Sequence, residues 1–178
     1  IWTYGHRSPQ GLEYDRVTHT LWGTEHGPRG GDEVNVLKPG RNYGWPLYSK
    51  GMDYDLTDVE YGQDLNMEFD VADIEQPAVD LTPSPAVSTL MAYEGDRFPG
   101  WQHDLFVGSL KATDLFRVVV RDGQVTHMET VITDLARIRD IETGPDGLIY
   151  LLLENEAGGM LVRLVPDGVA DEPALADI

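Results

Sequence analysis

Short apolar runs alternate with polar loops along most of this chain, and three stretches share one order: an apolar strand, a polar loop, a second alternating strand, then a glycine-containing turn. They run from His19 to Gly40, from His103 to Gly123 and from Gly147 to Gly168. In the second, Leu105-Phe106-Val107-Gly108 precedes Leu115 to Val120 and the turn Arg121-Asp122-Gly123; in the third, Leu148 to Leu153 precedes Leu161 to Val165 and Pro166-Asp167-Gly168. Period-two alternation broken by Asp-Gly is strand and hairpin chemistry. Leu105 and Ile149 stand 44 residues apart, and Leu21 and Leu105 stand 84 apart, close to two such periods. A repeat of roughly 40–45 residues built from short strands marks propeller blades. The pattern therefore predicts an all-β chain and a β-propeller, although periodicity by itself leaves an ordinary β-sandwich open.

No stretch carries a clear amphipathic helix pattern that would favour an α/β fold. The acidic stretch from Asp53 to Asp80 reads as a long insertion plus the outer strands of a degenerate blade. Residues 1–168 form the expected domain, and 169–178, without strand pattern, the expected disordered tail. Three or four blades leave sheet edges and apolar faces uncovered, so the chain is expected to need a partner.

Charge narrows the partners. Thirty-one acids against thirteen bases give a net charge of −18, which speaks against nucleic acid and anionic membranes. No apolar run is long enough to span a membrane, and the absence of cysteine rules out disulfides and thiol chemistry. The chain starts at Ile1-Trp2-Thr3-Tyr4, which reads as a piece whose beginning lies elsewhere.

Two loops carry candidate chemistry. Thr24 to Glu33 is glycine-rich and acidic, and glycines let the backbone turn so that carbonyl oxygens converge. Main-chain oxygens of Gly27, Pro28 or Tyr43 with the Glu33 carboxylate suit calcium, whereas zinc would want His or Cys clusters that this sequence lacks. Arg7, Ser8 and Gln10 share a short loop with Gly5, Pro9 and Gly11, and an arginine aimed at a carbonyl stabilises the charge that develops when it accepts a hydride. His6 reads as a hydrogen-bonded structural residue, and His26 as either pocket-lining or exposed. In Ala136-Arg137-Ile138-Arg139-Asp140, alternation points both arginines to one side. They form either a clamp for a polyanion or a surface pair answering local acids. Lys111, in the loop after Ser109-Leu110, adds a third positive charge on the first of these readings.

Gly5 to Leu12, Thr24 to Glu33, Asn42-Tyr43-Gly44-Trp45-Pro46, Gly95 to Trp101, Ser109-Leu110-Lys111 and Arg137 to Asp140 together resemble the soluble quinoprotein sugar dehydrogenases of the glucose/sorbosone dehydrogenase family, aldose sugar dehydrogenases included. The resemblance runs in order to about Gly168. It implies a six-bladed propeller that binds pyrroloquinoline quinone and calcium and oxidises the anomeric carbon of an aldose to a lactone. This chain would be the C-terminal three to four blades. On that basis Arg7 and Ser8 face the reactive quinone carbonyl with Gln10 nearby, and Gly27 and Pro28 give carbonyls to the catalytic calcium beside His26. Glu33 and Tyr43 belong to a structural calcium site, and Lys111, Arg137 and Arg139 hold the quinone and its carboxylates.

The resemblance places the histidine base upstream of Ile1, so the isolated chain is expected to be inactive until joined by the N-terminal half. It also implies an external electron acceptor and a periplasmic or secreted location. Ser8 stands where the family commonly has asparagine, and Leu81 where an aromatic residue often borders sugar and cofactor. The alternatives are a calcium-dependent propeller lactonase and a non-catalytic extracellular binding propeller.

Overall fold

A computed structural model describes residues 1–59 and 69–168 of the chain. They form three antiparallel sheets and no α-helix. The first contains β1 (Pro9–Asp15), β2 (Thr20–Glu25), β3 (Glu33–Val36) and β4 (Val79–Asp80), paired in that order. The second contains β5 (Val87–Ala92), β6 (Leu105–Ser109), β7 (Leu115–Arg121) and β8 (Gln124–Ile132); the third, β9 (Arg137–Thr143), β10 (Ile149–Asn155) and β11 (Gly158–Leu164). Every sheet is an up-and-down meander. The repeats read from the sequence fall on β2–β3, β6–β7 and β10–β11, which are equivalent strands of the three sheets.

Packing explains why the middle repeat reads as an unbroken apolar run. The second sheet is buried on both faces: Leu105, Val107, Leu90, Phe116 and Val118 pack with Trp22 and Val34 of the first sheet, while Phe106, Met91 and Leu115 pack with Ile138, Ile149, Leu151 and Leu153 of the third. Side chains alternate between faces with period two, so both halves of each pair must be apolar. The outward faces of the flanking sheets keep exposed apolar residues, Leu12 and Tyr14 on one and Leu152 and Leu161 on the other. That agrees with the expected need for a covering partner.

The inner strands β1, β5 and β9 lie side by side. Hydroxyls fasten them: Thr24 Oγ1 donates to the Ser88 carbonyl at 2.6 Å and accepts from the Gly11 amide at 2.9 Å, and Ser88 Oγ donates to the Ile138 carbonyl at 2.6 Å. Close approach needs glycine at position 108, where a Cβ would sit 2.7 Å from Ile138 Cγ2 and 2.8 Å from Ser88 Oγ. Ser88→Ala strands a buried carbonyl, so it is expected to lower unfolding free energy by about 1–3 kcal/mol. Urea unfolding checks this; an unchanged midpoint would deny the hydroxyl its role.

The acidic stretch behaves as expected where it is described: a short 3-10 turn at Val71–Asp73 leads to β4, reduced to two residues on the outer edge of the first sheet. The expected tail, 169–178, lies outside the described residues. Within them, no helix is long and apolar enough to cross a membrane.

Candidate functional site

Because all strands run antiparallel, the starts of β1, β5 and β9 and the loops β2–β3, β4–β5, β6–β7 and β8–β9 gather at one end of the three sheets. Arg7, Ser8, Gln10, His26, Gly27, Pro28, Glu33, Lys111, Arg137 and Arg139 all sit there.

The glycine loop is folded back on itself. A Cβ on Gly27 would lie 2.0 Å from the Gly30 carbonyl oxygen, and one on Gly31, at φ +71°, would lie 2.5 Å from the Gly51 amide nitrogen, so neither position accepts another residue. Asp32 closes the loop. Its buried carboxylate accepts from the Gly27 amide at 3.1 Å through Oδ1 and from the Val87 amide at 2.9 Å through Oδ2, tying the loop to the second sheet. His26 makes a second tie, its Nε2–H donating to the Val87 carbonyl. The His26 amide also donates to the Ser8 carbonyl at 3.0 Å, which joins the two predicted loops.

Arg7 reaches across that junction. Its Nη1 donates to the carbonyls of His26 at 3.3 Å and Gly27 at 3.1 Å, its Nη2 to the Tyr54 hydroxyl at 3.2 Å, and its guanidinium lies 5.3 Å over the Trp45 ring. Gln10 is exposed and donates to the Ser8 carbonyl and hydroxyl at 3.3 and 3.2 Å. Pro28 is half-buried beside the same loop. His6 is structural, as the sequence suggests: its ring bonds Glu25 and Thr3 and stacks 4.5 Å from Tyr43.

Glu33 and Tyr43 line one small cavity of about 20 Å³ with Gly27, His26, Glu25 and Ser49 among its walls, the size for a single water or ion. The Glu33 carboxyl is pushed up to about 7, first by burial and then by the neighbouring charges of Glu25 and Asp80, against the opposing bond from Asn35. Among the described residues no three His, Cys, Asp or Glu side chains converge to hold a metal ion. A cation there would therefore lean on main-chain carbonyls with Glu33, an all-oxygen set that suits a hard ion and would relieve the carboxylate's burial.

The raised acid has a thermodynamic sign. Between pH 4.5 and about 7 native Glu33 holds a proton that the unfolded chain has released, so the part of stability that Glu33 sets is full below 4.5 and is lost as pH rises through this window. The loss in chelator is expected to reach about 3 kcal/mol at most. Denaturant midpoints at pH 4.5, 6 and 7.5 test it, with Glu33→Gln giving the flatter profile; equal slopes would remove Glu33 as the cause.

The remaining predicted residues divide. Arg137 and Arg139 flank buried Ile138 and are both exposed within reach of the same acid, with a bulge at Arg139 that pairs Ile138 with Leu153 and Asp140 with Leu152. Both meet Glu154 of the adjoining strand, Arg139 through its Nε at 2.5 Å and Arg137 at 3.8 Å, so the acid-answering arrangement is present on the face where a clamp would stand. Lys111 is exposed on a loop whose amides bond the Pro85 carbonyl, lining an open cleft of about 510 Å³ with Ser84 and Asp114. Leu81 borders that cleft, yet is 8% exposed and packs in the core between the first two sheets. Sequence reading assigned no role to Glu25, Asp32 or Asn35. The available signal was their position on β2 and β3 or the loop between: an acid or amide at a buried strand position must be matched by donors.

Meanders of four, four and three strands, stacked face to face around their inner strands with the candidate loops at one end, are blades of a β-propeller. The chain belongs to the glucose/sorbosone dehydrogenase family, whose model matches residues 1–163. It is 43% identical over 167 residues to aldose sugar dehydrogenase YliI of Escherichia coli, covering 93% of this chain and 44% of that protein. It is 26% identical over 209 residues to quinoprotein glucose dehydrogenase B of Acinetobacter calcoaceticus, covering 90% and 44%. The crystal structure of the soluble E. coli aldose sugar dehydrogenase in its apo form superposes with a TM-score of 0.80 over 92% of this chain and 46% of that one. The PQQ-bound aldose sugar dehydrogenase of Streptomyces coelicolor shares the fold, with a TM-score of 0.66 at 21% identity over 92% of this chain and 44% of that one. The chain thus spans less than half the length of the relatives it matches.

Proposed function

We propose that this chain supplies the electrophilic half of a pyrroloquinoline quinone site that oxidises the anomeric carbon of an aldose to a lactone, the other half coming from upstream blades that carry the base. The observation that carries the reading is the convergence, at one end of the sheets, of Arg7, the folded glycine loop and the paired arginines of β9. The name of the Acinetobacter relative, a quinoprotein, supports the cofactor.

The residues fit such a group. Arg137, Arg139 and Lys111 offer cations to its carboxylates, with Glu154 as the internal counter-charge that keeps the two guanidiniums in place beforehand. Gly27 and Pro28 present carbonyls, and the Glu33–Tyr43 cavity suits a second calcium. When bound, quinone and calcium supply the two-electron acceptor and its Lewis acid. Arg7 stabilises negative charge beside the reacting carbonyl, and Ser8 and Gln10 complete the polar wall.

The reading includes an external electron acceptor and a place in the periplasm or outside the cell. Its test is aldose-dependent reduction of a dye acceptor by the chain joined to its upstream half, loaded with quinone and calcium. Activity that falls at least about a hundredfold in Arg7→Ala supports it; a loaded, folded protein without aldose-dependent reduction contradicts it. Calcium at pH 7 is also expected to raise the melting temperature of the wild type by more than that of Glu33→Gln, since it binds the folded form and the variant loses one of the two positions.

A further inference from the structure

We propose that Glu25 is the residue that positions Arg7; the inference rests on the reading of Arg7 as facing the quinone and adds a residue to it. Glu25 ends β2, on the face opposite Trp22 and Thr24, and is 5% exposed. A buried carboxylate only accepts hydrogen bonds, so each oxygen must meet donors. Oε2 accepts from the Arg7 amide at 2.8 Å, and Oε1 from His6 Nδ1 at 2.9 Å and Asn35 Nδ2 at 3.0 Å. His6 therefore carries its proton on Nδ1 and turns Nε2 toward the Thr3 hydroxyl, 2.9 Å away.

The Arg7 side chain has weaker anchors. Its contacts to the His26 and Gly27 carbonyls are 3.1 Å or longer, and its buried Nε has no hydrogen-bond partner among the described residues. Where the guanidinium stands is thus set by the main chain beneath it, and Glu25 is the charged group that bonds that main chain. Through Asn35, whose amide also donates to Glu33 at 3.1 Å, the same carboxylate is braced against the small cavity. Glu25 also lines that cavity, but it reaches Arg7 only through the Arg7 amide, so toward Arg7 it is a positioning residue and not a catalytic one.

Glu25→Gln keeps the shape, removes the charge and sets an amide N–H against one of three donors. In the chain without cofactor, the Arg7 Nε–H resonance, assigned by its loss in Arg7→Ala, is expected to exchange with solvent about tenfold faster or more in Glu25→Gln. In the chain joined to its upstream half, quinone affinity measured with calcium is expected to fall about tenfold in Glu25→Gln but not further when Arg7→Ala is already present. Unchanged exchange in folded Glu25→Gln, or equal loss of affinity in both backgrounds, overturns the role. Faster exchange in a protein whose wild type binds no quinone upholds the positioning and overturns the quinoprotein reading. Should Glu25→Gln fail to fold, Glu25→Asp, which keeps the charge on a shorter arm, takes its place in both measurements.

Discussion

Asp32→Ala is expected to lower the unfolding free energy by about 3–5 kcal/mol and to abolish calcium binding at the glycine loop. The carboxylate is 1% exposed and bonds two amides, Gly27 at the turn and Val87 at the start of β5. Alanine leaves both donors without their charged acceptor, and each such bond contributes about 1.5–3 kcal/mol. The damage is geometric as well as energetic. The Gly27 amide fixes the turn whose carbonyl faces Arg7, and the Val87 amide fixes the second sheet beneath it. Asp32→Asn separates the two effects, because one oxygen still accepts while the other end now presents an N–H to an N–H. Chemical denaturation with calcium calorimetry on both variants checks the prediction; wild-type calcium affinity in Asp32→Ala would refute the loop's dependence on this residue.

The second large effect lies away from the site. Asp104, fully buried at the start of β6, accepts from Arg117 Nε at 2.8 Å, from Arg121 Nη1 at 2.5 Å and from the Val120 amide at 3.2 Å. Asp104→Asn removes the charge between two guanidiniums and is expected to cost about 3 kcal/mol, the low end for a broken buried pair. The low end applies because Arg117 keeps Glu129 at 2.6 Å and Arg121 is half exposed to water. Arg121→Ala should consequently change stability by less than about 1 kcal/mol. Comparable losses in the two variants, measured by urea unfolding, would contradict this division of the pair. Neither variant should alter quinone affinity if the fold survives, since Asp104 lies at the opposite end of β6 from Lys111.

The sheets were legible wherever burial repeats with the strand period. β6 and β7 are buried between layers and read as apolar runs, β10 reads as one too although Leu152 faces outward, and Asp122-Gly123, both at positive φ, turns β7 into β8 as Asp-Gly turns do. The inner strand β1 was harder to read, because Pro9-Gln10-Gly11-Leu12-Glu13-Tyr14-Asp15 is half exposed and contains a bulge, so its alternation carries little contrast. β5 hides Ser88 and Thr89 among apolar residues; Ser88 is buried there because its hydroxyl spans to the third sheet, a reason that no local pattern contains.

The site divided in the same way. Residues on strands or fixed turns could be placed from the sequence: Arg137 and Arg139 exposed beside buried Ile138, Gly27 in a loop that only glycine can make. What could not be read were partners distant in sequence. Glu154 meets the arginines from the next strand, and Glu25 meets Arg7 across eighteen positions. Leu81 shows the limit of resemblance, since its side chain belongs to the core between sheets although it borders the Lys111 cleft.

The most direct test of a split quinone site is calorimetric titration of pyrroloquinoline quinone, with calcium, into the chain alone and into the chain joined to its upstream half. Binding in the joined protein only, and its loss in Arg137→Ala/Arg139→Ala, is the predicted result. A joined, folded protein that takes up no quinone would contradict the account and leave a propeller without this cofactor.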